Sequence, residues 1–220
     1  MTNLQTPQTQ RFVRHIGIAA PFHLRHNVDT DVIAPLSPNP NMTGLSAGER
    51  AFEPIRYLSN GSENPDFVLN QEAYRNASIL IAGNNFGTGS SRGSGVSYPM
   101  AFGIRVVIAP SFGPIFYLNA AQRGMLAITL DGEVVARLGD WAVSNPGVEM
   151  MVDLERNVIE VPGLATISFS IDARIRDKLL LGATDELDEM LQHSEGAREL
   201  RNEDRNTRPW IYTNGTGANR

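Results

Sequence analysis

The 220-residue chain contains no cysteine. It therefore forms no disulfide and offers no thiolate to zinc or to an iron–sulfur cluster, so any such cluster must be held by another chain. Basic charge is also short: 19 Lys and Arg stand against 24 Asp and Glu, a formal net charge of −5. A dedicated nucleic-acid binder carries a basic excess, so phosphate backbones are not expected as partners. Long hydrophobic runs are missing too. No window approaches the roughly 20 apolar residues of a membrane span, and Met1 to Arg14 is rich in Gln and Thr where a secretion signal would be apolar. The expectation is a soluble, cytoplasmic protein that engages neither membrane nor nucleic acid. What is present suffices for a core, since 41% of residues are hydrophobic, enough for one large domain or two small ones.

The first ten residues are polar and read as a disordered N-terminus. Partial alternation over Phe12–Ile18 predicts a strand. Residues 27 to 64 are rich in proline and glycine and show no period of either kind, a length of irregular chain that often carries function. Two short apolar runs, Ser78–Ala82 and Ile104–Ala109, fit buried strands. Between them lies a glycine- and serine-rich loop, Gly83 to Gly95, then a short helix ending by Gly103. Strand, loop, helix and strand in that order predict a parallel crossover. A helix capped by Ser111 and closed by Gly124, a strand over Leu126–Leu130 and a helix over Gly132–Ser144 follow. Val148–Leu154, Asn157–Val161 and Thr166–Ile171, separated by turn residues, read as antiparallel strands. Helices are expected over Asp172–Leu181 and Asp185–His193, with a solvated charged face from Asp185 to Arg208.

The loop Gly83-Asn84-Asn85-Phe86-Gly87-Thr88-Gly89-Ser90-Ser91-Arg92-Gly93-Ser94-Gly95 is the most informative segment. Its glycines let the backbone approach a ligand, Ser90 and Ser91 lie where a helix would begin, and Arg92 offers a bidentate fork to a carboxylate or phosphate. The residues alone leave two readings open, an anion site and a plain strand-to-helix turn capped by serines. The loop lacks the Lys-Ser/Thr ending of a phosphate-binding loop and the glycine spacing of a dinucleotide site.

Four motifs in order, Asn27-Val28-Asp29-Thr30-Asp31-Val32-Ile33-Ala34-Pro35, Asn64-Pro65-Asp66-Phe67-Val68-Leu69-Asn70, Asn85–Arg92 and Arg105–Phe112, resemble the small-subunit family of 3-isopropylmalate dehydratase, in the aconitase superfamily. The resemblance runs from about residue 11 to Leu191-Gln192-His193. It implies an α/β fold, a swivelling β/β/α domain with a mixed, partly parallel sheet over residues 11–194 and a helical, partly disordered C-terminal extension over 195–220. It also implies a large-subunit partner that carries a [4Fe–4S] cluster on three cysteines, with no cofactor in this chain. The substrate would be a small dicarboxylic hydroxy acid, 2-isopropylmalate or a related 2-alkylmalate, dehydrated and rehydrated at the neighbouring carbon. Carried over by motif, Ser90 would be an alkoxide-like general base and Asp31 an orienter or part of the proton path. Ser91, Arg92, Thr43, Gly87 and Gly89 would contact substrate.

The chain departs from the family pattern where Ser-Ser-Arg normally continues Glu-His-Ala and here continues Gly93-Ser94-Gly95. Met42 stands where the family places an arginine, and Thr88 where it places a cysteine that is not a cluster ligand. Two glycines after Arg92 weaken the first helical turn by roughly 1 kcal/mol each relative to alanine. The departures leave three functions to separate: a working hydro-lyase subunit, a catalytically impaired paralogue acting as a binding or regulatory subunit, and a stand-alone anion-binding domain. His15, His23 and His26 fall close together, but without the acidic spacing of a known metal site they read as surface or core histidines. His193 reads as a packing or capping residue. Tyr57, Tyr98, Phe112, Phe116 and Tyr117 read as core aromatics.

Overall fold

A computed structural model of the chain describes residues 11–37, 39, 40, 42, 44–89 and 93–182. Its frame is a mixed seven-stranded sheet in the order β4-β3-β2-β1-β5-β6-β7. β1 (Arg14–Phe22) is shared between two halves. Its second part, Ala19 to Phe22, runs parallel to β2 (Ile79–Ala82), and its first part, Arg14 to Ile18, pairs antiparallel with β5 (Glu149–Asp153). The strand therefore extends four residues beyond the apolar alternation that predicts it. Pro21 falls inside that extension, opposite Ile81. There β1 has a ladder partner on one side only, so the proline removes no second ladder bond.

Two crossovers complete the parallel half. α3 (Ser94–Phe102) joins β2 to β3 (Val106–Ala109), and α4 (Pro114–Arg123) joins β3 to β4 (Leu126–Thr129). Every residue of β2 and β3 is buried, as continuous apolar runs require when a sheet is covered on both faces. On one face Ala20, Phe22, Leu80, Ala82, Val107 and Ala109 pack under Val96 of α3 and Phe116 and Ala120 of α4. On the other, Ile79, Ile81, Val106 and Ile108 meet Val135, Leu138 and Ala142 of α5 (Gly132–Ser144). The antiparallel half is β5, β6 (Val158–Glu160) and a two-residue β7 (Ile167–Ser168), followed by α6 (Ala173–Leu181). Asp172 caps α6 through its side chain, and Gly124 closes α4 at φ +80°.

Two capping expectations are corrected. α3 starts at Ser94 behind Gly93, later than Ser90 and Ser91. α4 is capped by Gly113 with Pro114 at its first position, because Ser111 is already engaged: its hydroxyl donates to Asn84 Oδ1 and accepts from the Asn85 N–H. The irregular stretch after residue 27 holds two one-turn helices, α1 (Thr30–Ile33) and α2 (Glu53–Arg56), and two short 3-10 turns. It is anchored by Phe52 and Phe67 against Phe22, with ring centroids 5.7 to 6.0 Å apart. Arg56 is buried and donates to Asn70 Oδ1 and the Gly48 carbonyl. The helix expected over Asp185–His193, with His193 and the charged face to Arg208, lies outside the described residues, as do residues 1–10 and 195–220. Among the described residues no helix is long and apolar enough to cross a membrane.

Candidate active site

In a parallel sheet the crossovers leave from the carboxyl ends of the strands, and the loops there gather into one crevice. Here they are stitched together by main-chain pairing. The loop after β1 meets the loop after β2 through a parallel bridge between Asp29 and Thr88, with Thr30 N–H donating to the Thr88 carbonyl at 2.9 Å and Gly87 N–H to the Val28 carbonyl at 2.8 Å. The loop after β2 meets the loop after β3 through Phe86 and Phe112, with Gly113 N–H on the Phe86 carbonyl at 2.8 Å. Two sequence motifs separated by more than fifty residues are thereby fixed side by side.

Gly87 has φ +73° and is packed so tightly under Phe116 that a Cβ would overlap the ring. Its role is to let the loop turn over α4. Gly89, at φ +100°, is exposed and leads directly into Ser90. Both backbone conformations are ones that residues with a Cβ rarely adopt. Asp31 lies in the first turn of α1 and is exposed. Asp29 caps that turn, its Oδ1 accepting from Val32 N–H at 2.8 Å. The Asp-Thr-Asp segment and the Gly87–Gly89 segment, both singled out from sequence, are thus brought together. Ser90, Ser91, Arg92 and Thr43 lie outside the described residues.

Sequence reasoning missed two residues that hold this arrangement. Thr30 is 2% exposed and sits between the two ends of the loop, its Oγ1 3.7 Å from the Cβ position of Gly89 and its Cγ2 2.9 Å from that of Gly95. The signal was two small residues flanking Ser-Ser-Arg, which leave room for a third side chain. Glu53, 4% exposed, is the second. Its Oε1 accepts from Asn39 N–H at 2.5 Å and its Oε2 from Arg50 Nε at 3.1 Å, while Arg50 Nη2 donates to the Pro35 carbonyl at 3.3 Å. This pair pins both ends of the turn that leads into Met42, and the Arg50 guanidinium lies 5.8 Å from the Tyr98 ring centroid on α3. A Glu three residues after an Arg carries no such message in one dimension.

The three nearby histidines go to three different places. His15 is half-buried and shares a 2.7 Å hydrogen bond with Ser78 Oγ. Burial first, and Arg105 second, hold its pKa below the usual imidazole value, against an opposing pull from Glu149. His23 is buried against Gly139, with Nε2 3.4 Å from Asp140. His26 Nδ1 accepts from the Asn84 N–H at 2.9 Å. Among the described residues no group of three or more His, Cys, Asp or Glu side chains is placed to hold a metal. Phe116, Phe112 and Tyr117 stack in or beside the core, as expected.

Comparison with known proteins agrees with this frame. Residues 9–133 match the model of the Aconitase C-terminal domain. The chain is 39% identical over 213 residues to a 3-isopropylmalate dehydratase small subunit of Marinobacter nauticus, covering 93% of this chain and 98% of that one. It is 41% identical over 203 residues to the same-named protein of Rhodospirillum centenum, covering 91% and 98%. A solved structure titled 3-isopropylmalate dehydratase, from Methanocaldococcus jannaschii, superposes with a TM-score of 0.57 at 25% identity, over 83% of this chain and 99% of that one. The chain belongs to the family of 3-isopropylmalate dehydratase small subunits, within the aconitase superfamily.

Proposed function

We propose that this chain is the small subunit of a heteromeric hydro-lyase that converts 2-isopropylmalate to 3-isopropylmalate, or acts on a close 2-alkylmalate. The observation that carries the reading is the pairing of the Asp29–Asp31 turn with the Gly87–Gly89 strand of the loop, at the carboxyl end of a parallel sheet. That pairing joins two of the four motifs on which the family resemblance rests. With no cysteine, the chain fits a division in which a large subunit holds the [4Fe–4S] cluster, whose chemistry when bound is Lewis-acid polarisation of the substrate's hydroxyl and carboxylate.

The work left to this chain is proton transfer and orientation. Ser90 Oγ, as an alkoxide, would take the proton from the carbon next to the carbinol as the hydroxyl leaves with a proton as water. The unsaturated diacid is then rehydrated, with hydroxyl on the neighbouring carbon and the proton returned. A serine does this only when main-chain amides and a nearby cation stabilise its anion. A glycine-rich loop followed by Arg92 supplies both types of group. Ser91, Arg92 and Thr43 would hold the substrate's carboxylates, and Asp31 would orient the loop or pass the proton on.

Anaerobic mixing with a cluster-loaded large subunit tests the reading. Turnover of 2-isopropylmalate is expected from the mixture and none from this chain alone. Ser90→Ala should lower kcat by about 10²- to 10⁴-fold while the subunits still co-elute. A wild-type mixture that co-elutes but turns over no 2-alkylmalate would support the impaired paralogue, which the Gly93-Ser94-Gly95 departure favours.

A further inference from the structure

The loops of the site are also pinned where they leave the sheet, and there the pin is a side chain. Asn84, the second residue after β2, is engaged on three sides: its carbonyl accepts from Asn27 N–H at 2.8 Å, its N–H donates to His26 Nδ1 at 2.9 Å, and its Oδ1 accepts from the Ser111 hydroxyl at 2.5 Å. One residue thus ties together the connections that follow β1, β2 and β3. Asn85 extends the network, giving its N–H to Ser111 Oγ at 2.8 Å and its Nδ2 to Asn27 Oδ1 at 2.9 Å. Asn27 and Asn85 are both held at left-handed φ, +53° and +56°, which asparagine tolerates better than most residues with a Cβ. Beyond them the same two segments pair main chain to main chain, Gly87 N–H on the Val28 carbonyl and Thr30 N–H on that of Thr88. His26 stands at the first rung of this parallel ladder, where an imidazole nitrogen takes the place of a carbonyl.

That replacement constrains the ring. Only a bare Nδ1 can accept, so the hydrogen bond assigns the proton of the neutral ring to Nε2. We propose that His26 is a positioning residue for the reaction: by holding the Asn84 amide, its Nδ1 sets the left-handed turn at Asn85 from which residues 86–89 run alongside Val28–Thr30. The proposal rests on the dehydratase reading and deepens it, since it gives the connection after β1 a role beyond that of Asp31.

The test uses the full chain, alone for amide exchange and mixed with its cluster-loaded large subunit for turnover. A long-range proton–nitrogen correlation spectrum of the imidazole should show the Nε2–H tautomer. His26→Ala should speed exchange about fivefold, the weight of one net hydrogen bond, at Gly87 as well as at Asn84, and lower kcat/KM for 2-isopropylmalate to a similar extent. His26→Asn, whose Oδ1 hangs from Cγ as Nδ1 does, should bring both within about twofold of wild type, and His26→Lys, which cannot accept, should not. His26 is exposed, so these changes are read against an unchanged urea midpoint. Faster exchange confined to Asn84, an Nδ1–H tautomer, or a lysine variant equal to wild type overturns the proposal. A wild-type mixture that converts no 2-alkylmalate overturns the dehydratase reading alone, and the positioning role then stands or falls on exchange at Gly87.

Discussion

The parallel half of the sheet buries its strands more completely than the antiparallel half, where β6 and β7 are only partly covered, and the two halves connect their strands in opposite ways. In the antiparallel half β5 turns into β6 within four residues, and the turn satisfies itself: Asp153 Oδ1 accepts from Arg156 N–H at 2.9 Å, Asn157 takes φ +53°, and Arg156 pairs with Glu160 at 2.7 Å. Parallel strands cannot be joined so tightly, because each crossover must travel the length of the sheet. The parallel half therefore sends long connections out from one end, and those are the segments that carry Asp31, Gly87, Gly89 and Ser90. Hairpin geometry leaves nothing over for chemistry, whereas crossover geometry exposes loops that must be pinned by other means. Here the pins are the Asp29–Thr88 and Phe86–Phe112 bridges, Thr30, and the Glu53–Arg50 pair.

Core substitutions should break the two halves to different degrees. Leu80 of β2 is fully buried under α3 and α4. Leu80→Ala is expected to cost about 2–5 kcal/mol by transfer and cavity terms together, read from urea denaturation. Ile159→Val in β6 removes one methylene from an equally buried site and should cost about 0.5–1.5 kcal/mol. A smaller loss at Leu80 than at Ile159 would mean that the parallel half is not the sealed layer its burial indicates.

The loops sharpen the contrast, because there stability and activity should separate. Glu53→Gln withdraws the charge and one of the two acceptor oxygens from a buried side chain that receives hydrogen bonds from Asn39 N–H and Arg50 Nε. The expected cost is about 1–3 kcal/mol, together with about a tenfold fall in kcat/KM of the reconstituted enzyme as the turn before Met42 loosens. Asn157→Ala forces a Cβ residue without a polar side chain into the left-handed region of the β5–β6 turn, at about 1 kcal/mol, and should leave KM unchanged. Equal effects of both variants on KM would remove Glu53 from its positioning role.

How much of this was legible depended on the range of the interaction. Ile79–Ala82 and Val106–Ala109 announce themselves because burial on both faces needs only their own apolar residues, and Gly124 and Asp172 because caps are local. The end of β1 was hidden by Pro21, whose tolerance depends on a neighbour missing from one side of the strand. Ser111 reads as a cap until Asn84, twenty-seven positions earlier, claims its hydroxyl. The candidate loop was visible in its glycines and serines. Its supports were not: Thr30 lies against residues 89 and 95 across a distance in sequence that no periodicity reports, and Glu53 reads as an ordinary charge until Asn39 and Arg50 fold onto it.

The smallest effect lies on the seam between the halves. His15 sits on the part of β1 that pairs with β5, opposite Val152, while its hydrogen-bond partner Ser78 stands at the head of β2. Gly17 makes room for that contact, since a Cβ there would overlap the Ser78 hydroxyl. Burial and Arg105 lower the imidazole pKa in the folded chain, so the unfolded chain, titrating near 6.5, takes up its proton first as pH falls. Stability then rises with pH wherever the unfolded state holds more protons. The His15 contribution is whole above about pH 7 and is lost progressively as pH drops through about 6.5 towards the lower folded value. His15→Gln keeps a donor for Ser78 but has nothing to titrate. Its urea midpoint should change less than that of wild type between pH 7.5 and about 5.5, whereas parallel curves for the two proteins would show that the seam does not sense protons.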